Sequence, residues 1–212
     1  GAVTARLDNR DLGSVIKDIQ KKLSGIKLPP SYQIVYGGSY AEQQQSFSEL
    51  LKILIISGLL VFLIVLFMFR DLKLSGIVII ISSLGIAGGL VALYLTNTPL
   101  NVGSYTGLIM IVGIIGENSI FTIQQFLAEL KNSDVNGALS YAISARLRPK
   151  LMTATGAIAA LTPLALGIGT GAQMHQPLAI AVIGGLVMAL PLLLIVLPGL
   201  LKLFRKKLNP EN

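Results

Sequence analysis

The sequence predicts an all-α membrane bundle of five transmembrane helices with a small N-terminal α+β fragment in front of it. Three observations lead there. Of the 212 residues 53% are hydrophobic and 13% charged, against about 25% charged in an ordinary soluble domain. The apolar residues are gathered into unbroken blocks of about 20, the length an α-helix needs to cross a hydrocarbon core about 30 Å thick. Residues 1–49 hold no such block and mix short β-like runs with an amphipathic pattern instead.

Taken in order, Ala2–Leu7 reads as a short strand. Leu12, Val15, Ile16, Ile19 and Leu23 then follow the i, i+3, i+4, i+7 spacing of a helix with one apolar face. Asp11 is its expected N-cap, and Ser24-Gly25 with Pro29-Pro30 closes it. Tyr32–Tyr36 reads as a second strand, stopped by Gly37-Gly38, and a polar helix over Ser39–Ser48 leads on. A strand–helix–strand unit this short cannot bury a core of its own, which predicts partner strands upstream. Residues 1–49 are thus expected to be part of a water-soluble subdomain.

The expected spans are about 50–69, 74–95, 105–127, 150–169 and 178–203, forming a membrane domain over 50–204 with a basic tail at 205–212. Arg70 and Lys73 separate the first two spans, and Lys131, Arg146, Arg148 and Lys150 accompany the connection between the third and fourth. Lys202, Arg205, Lys206 and Lys207 end the chain. The opposite loops, Thr96–Ser104 and Thr170–Pro177, contain neither Lys nor Arg. Positive residues mark the cytoplasmic side, so the N-terminal part is expected outside and the C-terminus inside. The net charge of +7 is then a matter of topology, which argues against a nucleic-acid partner. In the third loop, Ser133-Asp134 is expected to cap a short helix, Val135–Leu147, ended by Pro149. Gly113, Gly116, Gly184 and Gly185, like Gly85 and Gly89, offer small surfaces where membrane helices can approach closely. Pro163, Pro191 and Pro198 are expected to bend their helices.

Glu117 is the deepest ionisable residue, near the middle of the third span. A charged group there costs roughly 2.5–3.5 kcal/mol on insertion scales, so it should face a polar cavity or a partner, and such acids mark proton or ion pathways. The bland reading is a helix–helix hydrogen bond. Gly113 and Gln124 share its stripe, and Asn118, Thr122 and Gln125 form a second polar stripe beside it. For Thr153, Thr155 and Thr162 the bland reading is bonding to their own helix carbonyls. Arg146 and Arg148 read as inside-positive anchors. There is no cysteine, so no thiolate site exists, and His175 and the five methionines read as loop and packing residues. No metal site, no cofactor and no hydrolytic residue set is expected, and the chain is not read as an enzyme.

The run Arg146-Leu147-Arg148-Pro149-Lys150-Leu151-Met152-Thr153 resembles the start of the eleventh helix of resistance-nodulation-division (RND) efflux permeases. Gly169-Thr170-Gly171-Ala172, Gln176-Pro177-Leu178-Ala179 and Val182-Ile183-Gly184-Gly185 resemble the loop and start of the twelfth. Gly107-Leu108-Ile109-Met110 with Gly113 resembles the tenth, and Tyr36-Gly37-Gly38 with Gln43–Gln45 the exit from the last periplasmic porter subdomain. The wording of the loop is most similar to the heavy-metal efflux branch.

The resemblance implies the C-terminal membrane half of a proton-driven exporter of metal cations or small toxic compounds in a bacterial inner membrane. It places Glu117 where drug exporters carry a lysine and some metal exporters a glutamate. Thr153 falls on the threonine of the proton relay, and Arg146 on a family arginine near the cytoplasmic end. Expected partners are the lipid bilayer, the rest of the permease, sister copies in a homotrimer, a periplasmic adaptor and an outer-membrane channel. The competing reading is a non-transporting membrane scaffold, or one half of a split transporter.

Overall fold

The computed structural model describes residues 4, 12–25, 29, 34–36, 39–169 and 171–206. The chain divides into two compact units, residues 1–49 and 50–212. In the first, α1 (Leu12–Leu23) carries Lys21 and Lys22 in its last turn, where cations suit the negative end of the helix dipole.

The described residues are helical or irregular, with no β-strand among them, which corrects the expected α+β fragment. Of the strand expected at Tyr32–Tyr36, the residues Ile34–Tyr36 are described and belong to no regular element. Among the described residues no neighbouring strand supplies the ladder partners that an extended segment needs. The strand expected at Ala2–Leu7 lies outside the described residues except for Thr4, as does the cap expected at Asp11. The polar helix expected at Ser39–Ser48 has no end of its own: α2 runs unbroken from Ser39 to Phe69.

The second unit is a helical bundle whose starts are set by side-chain caps. Asp71 begins α3 (Leu72–Leu95) by accepting from the amides of Lys73 and Leu74. Asn101 and Ser104 form a reciprocal capping box at α4 (Val102–Glu129), and Asp134 accepts from the Gly137 amide to start α5 (Val135–Ala165). Each such cap satisfies a donor that the first helical turn cannot satisfy itself. The chain then turns through Gly171 into α6 (Ala172–Pro191). A five-residue π-helical stretch, Leu192–Val196, follows Pro191 and leads into α7 (Leu197–Lys206).

Among the described residues, four helical stretches are long and apolar enough to cross a membrane: Ser46–Phe69, Leu72–Leu95, Val102–Glu129 and Ala172–Leu203. The expected fifth is corrected. α5 carries Arg146, Arg148 and Lys150 in its middle, together with Pro149 and Pro163. Nor does α5 break at Pro149. A proline inside a helix costs about 3 kcal/mol, and here the packed surface continues through it. Ala138, Leu139 and Ala142 are buried before the proline, and Lys150 and Ala154 after it.

Small residues set the closest helix approaches. A Cβ on Gly184 of α6 would collide with Ala92 and lie 2.9 Å from the Gly88 carbonyl of α3. One on Gly185 would lie 2.5 Å from Ile111 of α4, and one on Gly116 2.9 Å from Val61 of α2. Gly113 faces open space. Ile77, Ile81, Ile111, Ile115, Phe126, Leu197 and Leu201 fill the core between α3, α4 and α7. α2 mostly faces outward, burying Val65 and exposing Ile55, Leu59 and Phe67.

Candidate functional site

α4 and α5 run side by side and are joined by a long-range polar contact among the described residues. Lys150 Nζ donates to Thr122 Oγ1 at 2.7 Å. The threonine hydroxyl in turn donates to the Asn118 carbonyl at 2.7 Å. Its proton is therefore committed within α4, and its lone pairs are left for the ammonium. Lys150 is 5% exposed and Thr122 1%. An ammonium so far from water is held by the groups around it, because an unpaired buried charge is strongly disfavoured.

Beside this contact lies a cavity of about 340 Å³. Its polar lining is Glu117 and Asn118 from α4 and Arg146, Lys150 and Thr153 from α5. Apolar walls come from α4 and α5 and, in α6 and the π-helical stretch, from Leu186, Ala189, Leu190 and Leu193. The Arg146 guanidinium sits over the Phe121 ring, 4.9 Å from its centroid, a contact that holds the cation at the rim while the ring shields it. Glu117 has neither a hydrogen bond nor an ion pair among the described residues. Thr153 Oγ1 donates to the carbonyls of Pro149 and Lys150, both at 3.1 Å. Asn118 Nδ2 donates to the Ile114 carbonyl at 2.8 Å.

Of the residues singled out from the sequence, Glu117, Asn118, Arg146 and Thr153 thus meet at one cavity, and Thr122 is tied to it through Lys150. Gln124 is exposed and does not line it. Gly116, Gly184 and Gly185 lie at helix contacts, whereas Gly113 does not. His175 is exposed in the first turn of α6, and the described residues hold no group of three or more His, Cys, Asp or Glu suited to a metal ion.

Lys150 is the cavity residue that sequence reasoning did not single out, counting it only among the basic residues that accompany the connection between the third and fourth spans. The signal was available. Arg146, Lys150 and Thr153 stand at i, i+4 and i+7 and so share one face of a continuous helix. The expected break at Pro149 hid that face.

The AcrB/AcrD/AcrF family model matches residues 2–205. The chain is 30% identical over 177 residues to the cobalt-zinc-cadmium resistance protein CzcA of Cupriavidus metallidurans, covering 82% of this chain and 17% of that protein. It is 36% identical over 177 residues to protein HelA of Legionella pneumophila, with the same coverage. A crystal structure of a heavy metal efflux pump superposes with a TM-score of 0.81 at 31% identity, over 94% of this chain and 20% of that one. The chain thus spans 17% of the length of these curated relatives. With four apolar helices fit to cross a bilayer among the described residues and a match over nearly its whole length, the chain belongs to the AcrB/AcrD/AcrF family of RND permeases, membrane transport proteins and not enzymes.

Proposed function

We propose that this chain is the C-terminal membrane part of a proton-driven exporter, and that Glu117 is the group in it that binds and releases the proton. The observation that carries this reading is a carboxyl group without a hydrogen-bond or ion-pair partner among the described residues, lining a cavity with two cations. Glu117 is exposed at the cavity; a carboxyl at membrane depth needs a polar site to be tolerated, and here the polar lining comes from α4 and α5.

Arg146 and Lys150 set the electrostatics of the cavity. A proton arriving at Glu117 removes one negative charge facing these two positive ones. That change alters the balance of forces across α4 and α5, and the Leu190 and Leu193 wall lies directly against it. Thr153, on the same face of α5, supplies a hydroxyl able to pass or receive a hydrogen bond when its own helix carbonyls release it.

The substrate is proposed to be a metal cation, in line with the cobalt-zinc-cadmium resistance protein and the heavy metal efflux pump that the chain resembles. Selection of that cation is assigned to sequence outside this chain, and energy conversion to the cavity. The basic end of the bundle is proposed to face the cytoplasm, in keeping with the distribution of Lys and Arg. A homotrimer working with a periplasmic adaptor and an outer-membrane channel is the proposed assembly. The test is Glu117→Gln in the complete transporter, with export measured in cells at matched protein levels. Loss of export is expected, and unchanged export would overturn the reading.

A further inference from the structure

We infer that the basic end of the bundle is a binding surface for anionic phospholipid headgroups. Five exposed cations lie there: Arg70 and Lys73 around the start of α3, Lys131 after α4, Arg148 on α5 and Lys202 on α7. Arg205, Lys206 and Lys207 follow in the sequence.

Three contacts fix the relative heights of these helices. Gly184 lies against Gly88, Gly185 against Ile111, and Lys150 against Thr122. Counting outward from them at about 1.5 Å per residue puts Lys73, Lys131, Arg148 and Lys202 about 20–30 Å from the Gly88–Gly184 level. Cations on α3, α5 and α7, with Lys131 just after α4, therefore fall within a layer about 10 Å deep, comparable to the interfacial region on one side of a bilayer.

Three carboxylates of this end, Asp71, Asp134 and Glu129, offset the five positive charges only in part. Asp71 is bound to the first amides of α3, Asp134 to the Gly137 amide of α5, and Glu129 accepts from Ser133 Oγ at 2.8 Å. No ion pair joins them to the five cations.

What distinguishes a lipid from a soluble polyanion is the exposed apolar surface near three of the charges, Arg70, Arg148 and Lys202. Phe67 and Leu72 flank Arg70, Leu147 precedes Arg148, and Leu203 follows Lys202, all of them exposed. Tyr141, half exposed on the same helix as Arg148, suits the headgroup level as well. A phosphodiester headgroup meets the cation while its acyl chain covers the neighbouring apolar side chain. Inorganic phosphate would use the first of these and leave the second bare.

The probe is dioleoyl phosphatidylglycerol against dioleoyl phosphatidylcholine, counted as molecules retained on the purified chain by native mass spectrometry. Phosphatidylglycerol should be retained preferentially, and the preference should fall about fivefold for each cation removed. The test variant is Lys131→Gln/Arg148→Gln/Lys202→Gln, with Lys131→Arg/Lys202→Arg expected to keep the preference. Should the triple variant fail to fold, raising the salt on the unmodified chain is the second measurement, and the preference should decline with it. Equal retention of the two lipids by the unmodified chain would overturn the inference. So would an undiminished preference in the triple variant or a preference indifferent to salt, and so would displacement of the lipid by equimolar inorganic phosphate.

Discussion

Lys150 Nζ and Thr122 Oγ1 lie 2.7 Å apart, and this bond ties α5 to α4. The hydroxyl is already donating to the Asn118 carbonyl, so it is oriented to accept. The contact gives a buried cation a fixed place one side of a cavity whose acid is Glu117.

Thr122→Val removes the acceptor and leaves the ammonium buried beside a methyl group. Hydrogen bonds to charged groups contribute about 1.5–3 kcal/mol, and the variant should lose about that much stability. Thr122→Ser should keep most of it. Lys150→Met in the Thr122→Val background should restore stability, because the unpaired charge is then gone. Thermal unfolding in detergent, followed by circular dichroism, checks all three.

Helix contacts predict opposite outcomes at two glycines. Gly184→Ala drives a methyl group into Ala92 and the Gly88 backbone and should destabilise by about 1–3 kcal/mol. Gly113→Ala has open space around it and should be neutral or stabilising by up to about 1 kcal/mol, since alanine is the better helix former. The same unfolding assay compares them.

At the start of α4 the Asn101 side chain accepts from the Ser104 amide at 3.0 Å, and Ser104 Oγ accepts from the Asn101 amide at 2.7 Å. Asn101→Ala should cost about 1 kcal/mol, and hydrogen exchange should speed up in the first turn of α4 while the rest of the bundle keeps its protection.

These sites show what the chain reveals without coordinates and what it hides. Apolar runs such as Leu74–Leu95 are legible because every backbone group in a bilayer must be satisfied within the segment, which leaves a helix as the available form for a single run. Glu117 was legible as a lone acid within such a run. α5 was not, because its proline and three cations mimic a boundary. Whether a helix ends at Pro149 is decided by burial on both sides of it, and that depends on residues distant in sequence. The pairing of Lys150 with Thr122 is hidden for the same reason, since their 28 positions of separation are bridged only by the antiparallel packing of two helices. The strand expected at Tyr32–Tyr36 illustrates the reverse error over its described residues, Ile34–Tyr36. A run such as Tyr32–Tyr36 has the residues of a strand, yet β structure exists only where a neighbour pairs with it.

The proposal as a whole depends on Glu117 exchanging a proton with water. The most direct measurement is a pH-difference infrared spectrum of the complete transporter in lipid, recorded for the unmodified protein and for Glu117→Gln. The unmodified protein should show a protonated-carboxyl band that appears and disappears across the working pH range and is missing from the variant. Identical difference spectra for the two proteins would mean that this carboxyl does not titrate, and the proton-driven account would then be wrong.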